Sequence, residues 1–238
     1  MSDAPVQVFG FGGSLWGLPS ASPFVNKLIL WLRMAGIPHT LGEPKGPPAS
    51  KTGKVPYILR PDGSVLSDSS VIIATLGAER GIELGAPFGS AEQAKLTAIQ
   101  RLCEDSLYWT IVYFRWIDPA GWAITQPAYF GFIPAAVRWA VTPFIRGQVR
   151  RSLHGQGLGR RSPAEIAAVG IADVDALVGL LGEQEYLLGR PTVADAIAWG
   201  MLAGFFGTPY ADPVTLHARA QPALAAYVAR LGQRFPAP

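Results

Sequence analysis

The character of the chain changes once, between Gly81 and Gly89, and this change narrows the folds open to it. Before it, short apolar runs are broken by Gly/Pro turns; from Ser90 onward the sequence is rich in Ala and Leu and reads as helix. A chain of 238 residues can bury one large core or two modest ones. The shift in pattern selects two, an α/β domain over 1–80 and an all-helical domain over 90–238. Residues 81–89, with Gly81, Gly85, Pro87 and Gly89, form the linker.

In the first domain, Val6–Phe11 is a β-branched and aromatic strand ended by Gly12-Gly13. From Pro23 the apolar residues Phe24, Leu28, Trp31, Leu32 and Ala35 share a helical face, with Ser22 as N-cap, Pro23 at the first helical position and Gly36 as the stop. His39–Leu41, Val55–Leu59 and Val65-Leu66 read as strands, the last two joined by the turn Pro61-Asp62-Gly63. Ser69 caps a helix running to Glu79, which completes the order β-α-β-β-β-α. Pro and Gly between Glu43 and Gly53 disfavour a helix there. In the second domain a long helix runs from Ala91 through Leu107 and Phe114 until Pro119 ends it. Ser162–Glu165 and Thr192–Asp195 are capping boxes, and a last helix spans Gln221–Arg234.

Three polar segments of the first domain carry the candidate chemistry. A Ser22 hydroxyl at a helix N-terminus can donate to a thiolate while the helix dipole favours negative charge there, although Ser-Pro is equally an ordinary cap. Ser14 and Ser20 lie in the same loop and share the candidacy. Lys54-Val55-Pro56 opens a strand, and a cis bond before Pro56 would turn the Val55 backbone toward a peptide-like ligand. Asp68 and Ser69 offer an acceptor for an ammonium and a donor for a carboxylate. Trp16 in the loop and Tyr108, Trp109 and Tyr113 on one helix are candidates to wall an apolar substrate pocket, one or two rings at most facing it.

Other classes are disfavoured. The net charge of +3 gives no basis for nucleic-acid binding, and the run from His154 to Arg160 lacks the preceding strand and Lys-Ser/Thr ending of a phosphate loop. His39, His154 and His217 are scattered, so no metal site is expected. The single cysteine, Cys103, forms no disulfide framework and reads as a small core residue; a reducing cytoplasm fits it. No acidic residue occurs between Asp118 and Glu165, where Arg138, Arg146, Arg150, Arg151, Arg160 and Arg161 alternate with aromatic residues. Segment 119–161 is therefore a candidate for peripheral membrane or partner contact.

Ser22-Pro23-Phe24 with Lys27, Trp31 to Ala35, Gly53 to Pro56 and Asp68-Ser69, followed by Glu104 to Trp109, His154 to Ser162 and Leu187 to Asp195, resemble the glutathione transferase superfamily, in its failed axon connections and metaxin-like branch. The resemblance covers nearly the whole chain. It implies a thioredoxin-like domain packed on a helical domain, often dimeric, with a cis bond before Pro56. It also implies glutathione as co-substrate, contacted by the Val55 backbone and, at its γ-glutamyl end, by Asp68 and Ser69. Ser22 stands where related classes carry a catalytic serine or cysteine; a serine stabilises a thiolate but forms no mixed disulfide.

Two functions follow. One is an enzyme in which Ser22 holds the glutathione thiolate for attack on a small apolar electrophile. The other is a catalytically silent module that keeps the fold and meets a membrane or protein through 119–161.

Overall fold

The computed structural model of the protein describes residues 5–11, 15–46, 48–86 and 88–236; Gly12, Gly13, Ser14 and Pro87 lie outside them. The first domain is a four-stranded sheet of β1 (Val6–Phe9), β2 (His39–Gly42), β3 (Tyr57–Leu59) and β4 (Val65–Ser67), ordered β2-β1-β3-β4. β2 is parallel to β1, while β1–β3 and β3–β4 are antiparallel. Helix α1 (Pro23–Met34) follows β1 and α2 (Ser69–Arg80) follows β4, giving the expected β-α-β-β-β-α order.

The helical domain begins as one rod. α3 (Ser90–Arg101) passes through a π-helical stretch, Leu102–Leu107, into α4 (Tyr108–Trp116). Pro119 does not merely end this rod: Asp118 accepts a hydrogen bond from the Gly121 amide, and Pro119 opens α5 (Pro119–Phe130). α6 (Ala135–Gln156), α7 (Pro163–Leu181), α8 (Val193–Gly207), α9 (Pro213–Arg219) and α10 (Pro222–Arg234) complete the domain. Both expected capping boxes are formed, at Ser162/Glu165 and Thr192/Asp195.

α8 is apolar almost all round and buried along most of its length, so it lies at the centre rather than on a surface. One side meets α1, where the approach is close enough to require Gly200. A Cβ at that position would stand 2.6 Å from the Pro23 carbonyl oxygen. α1 is thus covered by its own sheet and by the other domain, which explains why nine of its twelve residues are buried, Asn26 and Lys27 included. Asp195 carries the second anchor of α8: its buried carboxylate accepts from the Leu187 and Thr192 amides and from the Thr192 and Tyr227 hydroxyls.

Candidate active site

Sheet register brings the three polar segments to one end of the first domain. Phe9 pairs with Tyr57 and Tyr57 with Ser67, so the loop leaving β1, the Val55-Pro56 segment entering β3 and Asp68 leaving β4 are neighbours. The Asp68 amide donates to the Pro56 carbonyl at 3.3 Å, and the Ala21 amide to the Phe11 carbonyl at 3.1 Å. The second bond ties the start of α1 to the end of β1. The Val55-Pro56 peptide is cis.

Ser22 sits at the N-cap position of α1, but its hydroxyl makes no capping bond and no other hydrogen bond among the described residues. The reason is local. Pro23 has no N–H, and the Val25 amide, one of the usual targets of such a side chain, donates to the Ser22 carbonyl instead, as does that of Asn26. Expected as a cap, Ser22 instead has a hydroxyl without a partner among the described residues, at a helix N-terminus. Ser20 differs: it is buried, its Oγ donates to the Phe11 carbonyl at 2.5 Å, and that oxygen accepts the Ser22 amide at 3.2 Å. Its hydroxyl is consumed by the loop. Ser14 lies outside the described residues.

At the second segment Ser50 holds the Lys54 backbone by both ends, accepting its amide at 2.9 Å and donating to its carbonyl at 2.6 Å, while the Lys54 side chain is exposed. At the third, the cap of α2 is Asp68 rather than Ser69: one carboxylate oxygen, Oδ1, accepts the Ser70 and Val71 amides. Asp68 has φ 77°, a region a side chain rarely adopts, and its position between strand and helix end holds it there. Its Oδ2 has no partner among the described residues, and Ser69 is buried as the first residue of the helix.

Beneath this end of the sheet lies an ion pair. Lys27, 1% exposed, places Nζ 2.6 Å from Glu104 Oε1 and 2.7 Å from Ser70 Oγ. Gln100 donates to the same Ser70 hydroxyl and to Glu104 Oε2. The π-helical turn in the rod carries Glu104 into this network, which joins α1, α2 and the helical domain.

Of the candidate pocket rings, Tyr108 reaches the site: it packs edge-on to Phe24, two residues past Ser22, with centroids 4.8 Å apart. Burial pushes the Tyr108 hydroxyl above its ordinary value, and the Arg115 charge opposes that. Trp16 stands edge-on to Tyr210 at 5.5 Å and tilted to Tyr129 at 6.2 Å, so the first-domain loop meets the helical domain through it. Trp109 meets Tyr108 edge-on, whereas Tyr113 packs edge-on to Phe114 and has no ring contact with the Trp16 group among the described residues. A cavity of about 280 Å³ is lined by Phe114, Asp118, Gly121, Ile124, Tyr210 and Pro213 among others, and by none of the four candidate rings.

One residue was not singled out from sequence. Arg115 is 7% exposed, donates from Nη1 to the Ala21 carbonyl at 3.2 Å and lies 5.1 Å from the Tyr210 ring centre. Its partners are a carbonyl 94 residues away and a ring face, neither of which leaves a local motif. Cys103 is fully buried with its thiol pushed well up by desolvation, unsuited to act as a nucleophile. Among the described residues no three or more His, Cys, Asp or Glu side chains are grouped to hold a metal, and no helix is long and apolar enough to cross a membrane.

The sequence matches the model of the glutathione S-transferase N-terminal domain over residues 23–121 and that of the C-terminal domain over 170–231. It is 31% identical to the isoprene-epoxide–glutathione S-transferase of Rhodococcus sp. (strain AD45), covering 97% of this chain and 99% of that protein. The chain belongs to the glutathione S-transferase family. Within this family it is also similar to Failed axon connections of Drosophila melanogaster, 28% identical over 78% of this chain and 47% of that one, in line with the branch its motifs resemble. Among solved structures, glutathione transferase GSTFuA2 from Phanerochaete chrysosporium superposes with a TM-score of 0.64 at 15% identity, covering 99% of this chain and all of that one. The thioredoxin-like domain with an appended helical domain is thus the glutathione S-transferase fold.

Proposed function

We propose that the protein transfers glutathione to a small apolar epoxide. The observation that carries this is the Ser22 hydroxyl at the head of α1, without a partner among the described residues and at the same end of the first domain as the cis Val55-Pro56 segment and Asp68-Ser69. In this reading the Val55 backbone and the Asp68/Ser69 corner hold the glutathione peptide, and Ser22 donates to its thiolate. The thiolate attacks one epoxide carbon, the C–O bond breaks with its electrons passing to oxygen, and the resulting alkoxide takes a proton from water. Placement and desolvation of the two reactants supply the acceleration. The epoxide class is suggested by the Rhodococcus relative, which matches end to end.

Calorimetric titration with glutathione, followed by thiol consumption in the presence of isoprene epoxide, tests the proposal. The expected result is binding and epoxide-dependent thiol loss; no heat and no thermal shift at millimolar glutathione would overturn it. The homodimer implied by the resemblance belongs to the same reading, and a single-chain mass by light scattering removes it.

A second reading, contact of 119–161 with an anionic membrane, has an observation of its own. The turn and first half of α6 present Phe132 at 84% and Trp139 at 81% exposure, with Val137, Val141 and Phe144 also exposed. Arg150 and Arg151 are exposed further along the helix, and no acidic residue intervenes. Arg146 is occupied by the Trp116 and Ile117 carbonyls. Flotation with phosphatidylserine vesicles, lost in a Phe132→Ser/Trp139→Ser chain, is the expected result; absence of the wild-type protein from the lipid fraction removes this reading.

A further inference from the structure

The peptide unit between Ala21 and Ser22 is held from both sides. Arg115 Nη1 donates to its carbonyl, from the helical domain, and its N–H donates to Ser20 Oγ. The clamp fixes the direction in which Ser22 leaves the loop while leaving its hydroxyl without a partner among the described residues.

Arg115 is an unusual choice for such a clamp. A guanidinium buried to this degree is normally matched by a carboxylate, because desolvating a lone charge is costly. Among the described residues Arg115 has no ion-pair partner. Asp212 shares a gap of about 10 Å³ with it, but both Asp212 oxygens are occupied by the Val214 and Thr215 amides and the Thr215 hydroxyl at the head of α9. The other groups against Arg115 among the described residues are neutral: Tyr108 on the same helix, Tyr210 before α9 and the Ala21 carbonyl.

The seat is nevertheless built for it. α8 has a glycine, Gly204, where a Cβ would collide with Arg115 Nη2. Thr125 Oγ1 donates to the Arg115 carbonyl at 2.7 Å and bonds the Tyr210 hydroxyl at 2.8 Å, holding the ring under the guanidinium. Loop, α4, α5, α8 and the segment before α9 all contribute to keeping one cation beside the start of α1.

We infer that Arg115 is a positioning residue that also serves as the fixed positive charge of the thiol site, clamping the Ala21-Ser22 peptide and stabilising the anion held at Ser22. The inference rests on the glutathione reading above. It accounts for Arg115 having no ion-pair partner among the described residues: a permanent acidic partner would cancel the field that the bound thiolate completes.

Two substitutions separate charge from clamp. Arg115→Gln keeps an N–H donor for the Ala21 carbonyl and removes the charge; Arg115→Lys keeps the charge. The readout is the pH titration of the bound glutathione thiol, followed by thiolate absorbance. Arg115→Gln is expected to raise the thiol pKa by about one unit, and Arg115→Lys to leave it near the wild-type value. A wild-type titration in Arg115→Gln overturns the proposal. If Arg115→Gln does not fold, Arg115→Lys decides alone, since a raised thiol pKa despite the retained charge is contrary to the proposal. Failure of the underlying reading looks different: the unaltered protein then binds no glutathione at all.

Discussion

Ser20 and Asn26 hold each other through two hydrogen bonds. The Ser20 amide donates to Asn26 Oδ1 at 2.9 Å, and Asn26 Nδ2 donates back to the Ser20 carbonyl at 3.0 Å. Both residues are buried, and the pair shapes the loop from which Ser22 emerges. Asn26→Ala leaves two buried backbone groups unpaired and is expected to cost about 2 kcal/mol in urea unfolding. Glutathione affinity should fall with it, because the loop directs Ser22. Unchanged stability would show that the pair is not what holds the loop.

Ser22→Ala separates two roles that coincide in sequence. A working Ser cap is worth about 1 kcal/mol. Since the Ser22 side chain makes no capping bond, the substitution is expected to alter stability by less than about 0.5 kcal/mol. The bound thiol should titrate at higher pH, having lost a donor to its anionic form. A large stability loss with an unchanged thiol titration would return Ser22 to a purely structural part.

The Lys27–Glu104 pair invites a double-mutant cycle. Lys27→Met leaves the Glu104 carboxylate, only 14% exposed, without its cation, and should cost about 3–5 kcal/mol. Glu104→Gln in the same chain removes the stranded charge and should recover part of that loss. Additive losses in the two single variants would mean that the groups act independently.

Stability should also depend on Asp173. Desolvation raises its carboxyl to about 6, opposed by the hydrogen bond from Ser106 Oγ at 2.7 Å, against an ordinary value of 3.8. The folded chain thus keeps a proton that the unfolded chain gives up between those values. This contribution is complete below pH 3.8 and is lost as pH rises through 6. Asp173→Asn cannot titrate, so its melting temperature relative to the unaltered protein should rise across that interval and level off above it. A constant difference between the two would exclude Asp173 as the group responsible.

Local signals carried most of the fold. The two capping boxes each lie within four residues, and they formed where the pattern placed them. The succession of elements in the first domain was legible because Gly and Pro mark each turn, whereas the sheet order β2-β1-β3-β4 leaves no local mark. The cap of α2 was harder: Asp68 and Ser69 are both good caps, and the choice depended on which side chain reaches two amides from a positive-φ backbone. At Ser22 the cap position was right, but the Val25 amide turns to the Ser22 carbonyl rather than to the hydroxyl. Arg115 had no local signature, because its place is set by a loop, a ring and a glycine from distant parts of the chain. The rings of α4 share one rod, yet the faces they turn depend on neighbours brought in by tertiary packing.

Gly200 gives the molecule an architectural limit. With a Cβ at that point already in collision with the first turn of α1, the helical half is fitted directly against the start of that helix. The α/β half is therefore not a portable cassette. Recombination that replaced the helical half would succeed only with partners offering the same bare backbone at the crossing. Divergence within such a chain is then channelled into the rings and turns around that contact, with the contact itself inherited intact.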